Sequence, residues 1–267
     1  MLPFSYRRMA GYTPFMQQRG IAPFLVTLVG LLMAVQFTAF MESEGHWQET
    51  APGIAVRTLH YRGDVQEEVV TAVRIEPARA IIRVVQKNAG VVSAGATASD
   101  ICPESGAAIN APYFTKEWKP VGLLVMDGKV YHPLRLDHDY SVFWMRKGRP
   151  EILPRIGHVP KGVIQAIQSK PRLVVDNCIP TFKEQPATRR SAIGIDALGH
   201  VILAATDGDF TLDQWAECLR NGLGCVQALN LDGGPSTQLC VNGKFPAMLR
   251  GGWRVPVFIT VEPKPAN

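Results

Sequence analysis

The chain has 267 residues, of which 28 are basic and 23 are acidic, giving a formal net charge of +5 at pH 7. Three of the basic residues and none of the acidic residues lie in the first 41 positions, so residues 42–267 carry 25 minus 23, or +2. This small and scattered excess does not favour a nucleic-acid-binding surface, and we expect no nucleic acid partner. The length fits one large domain preceded by a separate N-terminal element.

That N-terminal element has the pattern of a membrane anchor. Residues 21–41 carry no charge, and a stretch of this length can cross a bilayer. Arginines precede it and an acidic segment follows it, so the positive-inside rule places residues 1–20 in the cytoplasm. We predict a single-pass inner-membrane protein with a transmembrane anchor at 21–41, a tether at 42–53 and a periplasmic domain. Two alternatives stay open: a cleaved signal at 1–41, which would give a secreted protein, and a buried helix of a soluble domain.

The sequence after the tether is rich in predicted strands and hairpins. Alternating patterns with β-branched residues predict strands at 54–61, 68–76 and 80–86. Glycine-containing pairs between apolar runs predict hairpin turns at 127–128, 147–148 and 242–243.

One helix is clearly marked, at residues 212–221. Thr211 and Gln214 before and within it have the spacing of a capping box, and glycines follow it. Together these patterns predict one α+β domain over 54–267, with mixed, largely antiparallel sheets and a few flanking helices.

Five cysteines can form disulfides in an exported domain, whereas a cytosol would keep them reduced. They are Cys102, Cys178, Cys218, Cys225 and Cys240. Cys218 and Cys225 are the nearest pair, separated by a predicted helix end and a glycine turn. We therefore predict a local Cys218–Cys225 disulfide, although sequence alone does not determine connectivity.

Two aspartates end predicted strands and precede glycine. In ALNLDGGPSTQL, residues 228–239, alternation places Asn230 and Asp232 on the face opposite the leucines. In VILAATDGDF, Asp207 ends a strand in the same way and precedes Gly208. Each Asp-Gly pair is also typical of a simple turn. As a pair, the two carboxylates have the chemistry of glycoside hydrolysis, in which one protonates the leaving group and the other attacks or activates water.

Groups suited to a phosphate accompany these carboxylates. Gly233 and Gly234 can direct backbone N–H groups at an anion, and Ser236 and Thr237 add hydroxyls beside them. Arg190 stands just before a predicted strand, and its planar guanidinium can hold two phosphate oxygens at once.

Asn110 in GAAINAPYF follows another apolar strand. Its amide can donate and accept hydrogen bonds, which suits either a sugar hydroxyl or a turn. The aromatic residues after it, Tyr113 and Phe114, are more typical of core packing than of a sugar platform. Arg189 is best interpreted as part of a surface salt bridge.

Taken in order, the segments NAPYF, VGLLVMDGK, QSKPRLVVDN, RRSAIGID, LAATDG and LNLDGGPST resemble the phosphodiester glycosidase domain family, over about residues 70–262. The resemblance implies a mixed α/β domain with a polar cleft that removes a sugar from a phosphodiester. It marks as cleft residues Asn110, Arg190, Asp207, Gly208, Asn230, Asp232, Gly233, Gly234, Ser236 and Thr237.

This resemblance gives roles to the polar residues. Asp232 and Asp207 would be the two catalytic carboxylates, Arg190 would clamp the phosphate, and Asn110 and Asn230 would orient the sugar. The expected partner is a phosphorylated glycan or sugar phosphodiester. We predict no cofactor and no metal, although carboxylates and a phosphate can share a divalent cation. A non-catalytic periplasmic protein that binds phosphosugars with the same fold is the alternative.

The chain also departs from the family pattern. Where many members have two glycines after the asparagine, this chain has Ala111 and Pro112, and Pro235 replaces the third glycine of the D-G-G-G-S motif. Pro235 removes one N–H donor from the loop, so the predicted anion site would be smaller and the substrate could differ.

Overall fold

The computed structural model describes residues 45–62, 67–87, 95–137, 139–154 and 156–265. The predicted cytoplasmic segment at 1–20 and the predicted anchor at 21–41 lie outside the described residues. Within the described ranges, no helix has both the length and the apolar character needed to cross a bilayer. The anchor and the localisation therefore stay predictions.

Strands account for 48% of the structure and helices for 9%, so the fold is more β-rich than the predicted α+β class. The reason is visible in the sequence, because most apolar runs alternate or are β-branched and few have helical periodicity. The strands are β1 (Gln48–Ala51), β2 (Ile54–Arg62), β3 (Glu67–Ile75), β4 (Ala80–Gln86), β5 (Ala107–Asn110), β6 (Leu124–Met126), β7 (Lys129–His132), β8 (Ser141–Arg146), β9 (Arg149–Leu153), β10 (Val163–Ser169), β11 (Arg172–Val174), β12 (Ser191–Asp196), β13 (Val201–Thr206), β14 (Cys225–Asn230), β15 (Leu239–Val241), β16 (Ala247–Leu249) and β17 (Val257–Pro263).

The local predictions for strands and turns are confirmed. Strands β2, β3 and β4 cover the three predicted segments almost residue for residue. Asp127-Gly128 and Lys147-Gly148 both have positive φ and connect β6 to β7 and β8 to β9. Gly243 has φ +124 in the longer connection from β15 to β16. One boundary differs: residues 48–51, predicted as part of the tether, form β1 and pair with β2.

The described strands form three sheets, and the neighbouring strands pair in antiparallel fashion. The first sheet has seven strands in the order β1-β2-β3-β13-β12-β14-β11. The second has the order β7-β6-β10-β8-β9, and the third has the order β16-β15-β5-β17-β4. This arrangement confirms the predicted antiparallel character.

The main hydrophobic core receives side chains from all three sheets. Leu229 and Leu231 of the first sheet, Phe143 of the second and Ile259 of the third belong to this cluster, and all four are fully buried. Ala228 packs on the opposite face of the first sheet. The alternation predicted for residues 228–232 is therefore confirmed for its apolar members.

Among the described residues, two short α-helices flank the sheets, α1 (Ala98–Ile101) and α2 (Leu212–Glu217). Thr211 caps α2, and its capping box with Gln214 is formed as predicted. The helix continues as a π-helical turn over Cys218–Gly222, so the predicted helix is present but its last turn is wider. Trp215 and Leu219 are fully buried in the cluster that covers the outer face of the first sheet.

The predicted Cys218–Cys225 disulfide is wrong, because all five cysteines are free thiols in the structure. Cys218 and Cys225 are buried in the cluster under α2, where they pack as small apolar side chains. Burial raises the pKa of Cys218 to about 12 and also raises the pKa of Cys225. Cys102 and Cys240, distant in sequence, are instead in hydrogen-bond contact, and this contact raises the pKa of Cys102 and lowers that of Cys240.

Candidate active site

Four neighbouring strands of the first sheet have ends that lie side by side at one end of the sheet. The strands β13, β12, β14 and β11 are antiparallel to their neighbours, so the C-terminal ends of β13 and β14 lie beside the N-terminal ends of β12 and β11. The register places Ala192 opposite Asn230. Four residues near these strand ends therefore lie at the same end of the sheet, with β12 between the strands that Asp207 and Asp232 follow: Lys170, Arg190, Asp207 and Asp232.

Strand β5 of the third sheet ends at the same place, and Asn110 joins the two sheets. Asp232 N donates to Ala111 O over 3.1 Å, and Asn110 Nδ2 donates to the Asp232 carbonyl oxygen over 2.7 Å. Asn110 Oδ1 accepts from Ser191 Oγ at 2.7 Å and from Gln238 N at 3.0 Å. Asn110 is buried, and its amide positions the backbone of Asp232. Its predicted contact with a sugar stays a prediction.

The Asp232 side chain is half-buried at the end of β14. Burial raises the pKa of its carboxyl to about 6, although hydrogen bonds from the Ser236 hydroxyl and the Gly233 N–H lower it in part. The desolvation effect is the larger one. A carboxyl with this pKa can exchange a proton near neutral pH, as a general acid must.

Tyr113 adjoins Asp232 and was not predicted as a site residue. Its hydroxyl donates to Lys170 O over 3.1 Å and accepts from Asn230 Nδ2 at 2.8 Å. Burial raises the pKa of Tyr113 to about 12, and the charge of Asp232 adds to this effect. The only sequence signal was its position three residues after Asn110, behind a proline. The alternation rule did not apply there because the segment is a loop.

Asn230 lies on the face predicted for it. Its Nδ2 also donates to Lys170 O over 3.2 Å and to Leu231 O over 2.8 Å. Its Oδ1 is buried, and within the described residues it has no hydrogen-bond partner. The side chain is thus fixed against Tyr113, and its predicted role in orienting a sugar is untested.

Arg190 is buried behind the same edge. Its Nε donates to Phe210 O over 3.0 Å and its Nη2 donates to Pro186 O over 3.0 Å, so carbonyl groups fix the guanidinium. Burial lowers the pKa of Arg190, whereas Tyr113 and Asp209 raise it. The Arg190 cation interacts electrostatically with Tyr113, and Tyr113 in turn interacts with Asp232.

Asp207 has a different environment from Asp232. Its side chain is 72% exposed and forms an ion pair with Arg189 Nη2 at 3.3 Å. Arg189 Nη2 also donates to Arg250 O over 2.8 Å, and the predicted salt bridge of Arg189 is confirmed. Gly208 packs against Glu68 so closely that a Cβ atom would lie 1.3 Å from Glu68 Oε2. A larger residue at this position would require the Glu68 side chain to move.

Several polar groups of the loop after Asp232 form hydrogen bonds within the protein. Gly234 has φ +58, and its N–H donates to Arg189 O over 2.8 Å. The Gly233 N–H and the Ser236 hydroxyl contact the Asp232 carboxylate. Thr237 is fully buried, and its Oγ1 has no partner among the described residues. The predicted contacts of these groups with a substrate anion are untested, and in the structure three of them stabilise the loop and the carboxylate.

The described residues contain no group of three or more His, Cys, Asp or Glu side chains placed to hold a metal ion. The absence of a cofactor stays a prediction.

The sequence model of the phosphodiester glycosidase family matches residues 104–262, more than half of the chain. The chain belongs to the phosphodiester glycosidase family. The matched region contains β5 through most of β17 and every predicted site residue. None of the curated proteins matches the chain.

Two solved structures share the fold. One is the catalytic domain of zebrafish N-acetylglucosamine-1-phosphodiester alpha-N-acetylglucosaminidase, auto-inhibited by its pro-peptide, with a TM-score of 0.61, 17% identity, and coverage of 81% of this chain and 86% of that one. The other is a hypothetical protein from Synechocystis, with a TM-score of 0.57, 18% identity, and coverage of 78% of this chain and 62% of that one. The chain therefore spans less than two thirds of the Synechocystis protein. At these identities the likeness shows the fold alone.

The departures from the family pattern now have a structural setting. Ala111 is buried and accepts the backbone hydrogen bond from Asp232, so this residue of the phosphodiester glycosidase domain contributes through its main chain. Pro235 is exposed in a 3-10 turn over Gly234–Ser236. Its carbonyl oxygen accepts from Gly252 N at 2.8 Å and from Trp253 N at 3.0 Å. The substituted loop is thus tied to the segment before β17.

Proposed function

We propose that this phosphodiester glycosidase family member hydrolyses a phosphodiester-linked sugar in a glycan. The observation that carries the proposal is the Asp232 carboxyl, whose pKa burial raises to about 6 within a cluster of hydrogen-bonding groups at a strand end. A buried carboxyl of this kind is suited to proton transfer, whereas a turn aspartate would be exposed to water.

In the proposed reaction, Asp232 in its protonated form delivers its proton to the phosphate oxygen that leaves the anomeric carbon. The bond between the anomeric carbon and this oxygen breaks, and a water oxygen bonds to the carbon. Tyr113 and Asn230 border the carboxyl and limit its access to bulk water, which favours the protonated form.

Asp207 is the proposed second carboxylate, which receives a proton from the attacking water. Arg189 pairs with this exposed carboxylate and holds it in position. Arg190 is the proposed phosphate ligand through the guanidinium nitrogen that does not contact Phe210 or Pro186.

The remaining cleft residues have supporting roles in the proposal. Asn110 and Asn230 are buried and orient the sugar indirectly, by holding Asp232 and Tyr113 in place, and the loop residues support the phosphate side. These loop residues are Gly208, Gly233, Gly234, Ser236 and Thr237. The substrate class is a phosphorylated glycan or a sugar phosphodiester.

We also propose that the enzyme is exported. Supporting this are the uncharged segment 21–41 and the arginines before it, which fit an inner-membrane anchor with the catalytic domain in the periplasm. Cleavage of residues 1–41 would give a secreted enzyme with the same domain. Protease protection of a chain tagged at both ends distinguishes a spanning anchor from a cleaved signal.

The test of the reaction uses the full chain with UDP-N-acetylglucosamine and with a nitrophenyl glycosyl phosphate. Wild type should release product, and Asp232→Asn should lose about 10³- to 10⁴-fold in rate. Asp213→Asn, an exposed aspartate in α2, is the matched control and should retain wild-type activity. Equal rates for Asp232→Asn and wild type on every substrate would refute the assignment.

The bond that breaks can be identified separately in oxygen-18 water. Attack at the anomeric carbon places the label in the released sugar, as the proposal requires. Attack at phosphorus places the label in the phosphate, and that result would keep the site but reject the glycosidase mechanism.

A non-catalytic phosphosugar-binding protein is the second candidate. Two hydrogen bonds favour it: the Gly234 N–H donates to Arg189 O, and the Gly233 N–H donates to the Asp232 carboxylate. These two N–H groups are therefore not available to stabilise a transition-state anion. Tight binding of a sugar phosphodiester without product, unchanged by Asp232→Asn, would support it.

A further inference from the structure

Two cysteines that are distant in the sequence meet between helix α1 and strand β15. Cys102 follows α1 directly, and Cys240 is the central residue of β15. Cys240 is buried and Cys102 is partly buried, and both pack in the same small hydrophobic cluster. Their thiols are in hydrogen-bond contact. Neither cysteine has a role in the proposed reaction.

The backbone on both sides of this thiol pair is held by hydrogen bonds. Cys102 Sγ lies 3.9 Å from Gly106 O, and Asn242 N donates to the same carbonyl oxygen over 2.8 Å. The Asn242 side chain joins the two cysteine segments, because its Oδ1 lies 3.9 Å from Cys240 Sγ and its Nδ2 donates to Pro103 O over 3.0 Å. The two sulfur atoms are therefore brought together by contacts that exist without a bond between them.

The other cysteines lack one of the two properties that this pair combines, a neighbouring thiol and access to solvent. Cys218 and Cys225 interact with each other, but both are fully buried in the cluster under α2 and are not accessible to an oxidant. Cys178 is exposed, and it lies in the turn that follows β11. Cys102 is partly exposed and contacts the Cys240 thiol.

We propose that Cys102 and Cys240 form a disulfide when the domain meets a small-molecule disulfide such as glutathione disulfide. The Cys102 thiolate attacks this oxidant, which forms a mixed disulfide and releases one thiol. The Cys240 thiolate then attacks the Cys102 sulfur, which forms the protein disulfide, breaks the mixed disulfide and releases the second thiol. The protein loses two electrons and two protons, and the oxidant becomes two thiols.

The disulfide would form independently of the proposed hydrolysis. The proposed export would bring the domain to a compartment where oxidants of this class keep disulfides formed, whereas a cytosol would keep both cysteines reduced.

The disulfide would strengthen a connection that a buried glutamine already makes. Gln238 directly precedes β15, and its Oε1 accepts from Ala98 N in α1 at 2.6 Å. Gln238 N donates to Asn110 Oδ1 over 3.0 Å, and Asn110 in turn donates to the Asp232 carbonyl oxygen. The candidate site lies wholly within residues 102–240, so the disulfide would close the chain around it. Closing so long a segment strongly restricts the unfolded chain, and we expect the oxidised domain to be the more stable form.

The first experiment maps the disulfide directly. The full chain is purified under reducing conditions, incubated with glutathione disulfide, treated with N-ethylmaleimide in denaturant and digested. Cleavage after Lys and Arg and before Asp places each cysteine on its own peptide, with Cys102 on 100–116, Cys225 on 221–231 and Cys240 on 232–244. Mass spectrometry should find peptide 100–116 joined to peptide 232–244, with two hydrogens fewer than the separate peptides.

The second experiment measures what the disulfide does to stability. Thermal unfolding of the wild-type chain should show a Tm about 5–15 °C higher after oxidation than in dithiothreitol. Cys102→Ser should abolish this difference, because Cys240 then has no thiol to pair with. Cys178→Ser changes an exposed cysteine and is the matched control, which should keep the full difference.

Three results would overturn the proposal. One is recovery of Cys102 and Cys240 as blocked free thiols after oxidation of the wild-type chain. The second is a disulfide between Cys218 and Cys225 in place of this one. The third is an oxidation-dependent Tm difference that persists in Cys102→Ser. If Cys102→Ser does not fold, the peptide map of the wild-type chain decides by itself.

Discussion

Asp232 and Asp207 each follow a strand of the first sheet and each precede a glycine, yet their surroundings differ. Asp232 is half-buried, with a pKa raised to about 6 and hydrogen bonds from its own loop. Asp207 is 72% exposed and forms an ion pair with Arg189. The position after a strand places each carboxylate at the end of the sheet. The loops that cover that end determine whether the carboxylate is buried or exposed to solvent. The two environments fit an acid and a base respectively.

The largest expected effect is on the rate of hydrolysis, which should fall by different amounts when each of the two carboxylates is replaced. Asp232→Asn should reduce hydrolysis by about 10³- to 10⁴-fold, and Asp207→Asn by about 10²-fold, because water can partly replace an exposed base. Initial rates with the nitrophenyl glycosyl phosphate measure both. If Asp207→Asn has the wild-type rate, Asp207 is an exposed turn residue and the contrast between acid and base is lost.

The next effect concerns stability and pH. Burial raises the pKa of Asp232 from 3.8 to about 6, so the folded state favours the protonated form more than the unfolded state does. The resulting stabilisation is complete below about pH 3.8 and is lost as the pH rises through 6, amounting to roughly 3 kcal/mol.

Asp232→Asn does not titrate, so its free energy of unfolding relative to wild type should rise by that amount between pH 3.5 and pH 8. Urea unfolding at both pH values measures this difference, with Asp213→Asn as the control. A constant difference across the range would show that Asp232 is not desolvated.

A smaller effect is expected at Tyr113. Tyr113→Phe removes the hydroxyl that joins Lys170 O to the Asn230 amide, which should lower the free energy of unfolding by about 1–2 kcal/mol. Tyr131→Phe on strand β7, which is exposed, is the control and should change stability by less than about 0.5 kcal/mol. Equal unfolding midpoints for the two variants would mean that the Tyr113 hydroxyl contributes nothing to the site.

The smallest effect belongs to the Asp207 ion pair. Asp207→Ala should change the free energy of unfolding by less than about 1 kcal/mol, because solvent screens an exposed pair. The difference should shrink further in 1 M NaCl. Thermal unfolding at low and high salt measures it, and a large effect independent of salt would place Asp207 in a drier environment than its exposure indicates.

Local patterns predicted the elements that hold the site. Alternation placed Leu229 and Leu231 in the core, and the capping box of Thr211 and Gln214 was formed as expected. These features depend on residues a few positions apart, which a sequence displays directly.

The environment of the site could not be predicted in the same way. The Tyr113 hydroxyl meets the Asn230 amide across 117 positions, and Asn110 reaches Asp232 across 122. Such contacts depend on how the sheets pack, and no periodicity encodes them. The same limit explains the wrong disulfide, since nearness in sequence favoured Cys218 and Cys225 while the structure brings Cys102 to Cys240.

The hydrogen bond from Asn110 to the Asp232 carbonyl joins an end of the third sheet to an end of the first. An intermediate that has formed only one of these sheets would contain strands and a partial core but no positioned acid. We therefore expect recovery of hydrolysis during refolding to coincide with the last docking step, later than the return of strand signal. Catalysis would then report complete assembly of the domain, and partially folded chains would be inert toward their substrate.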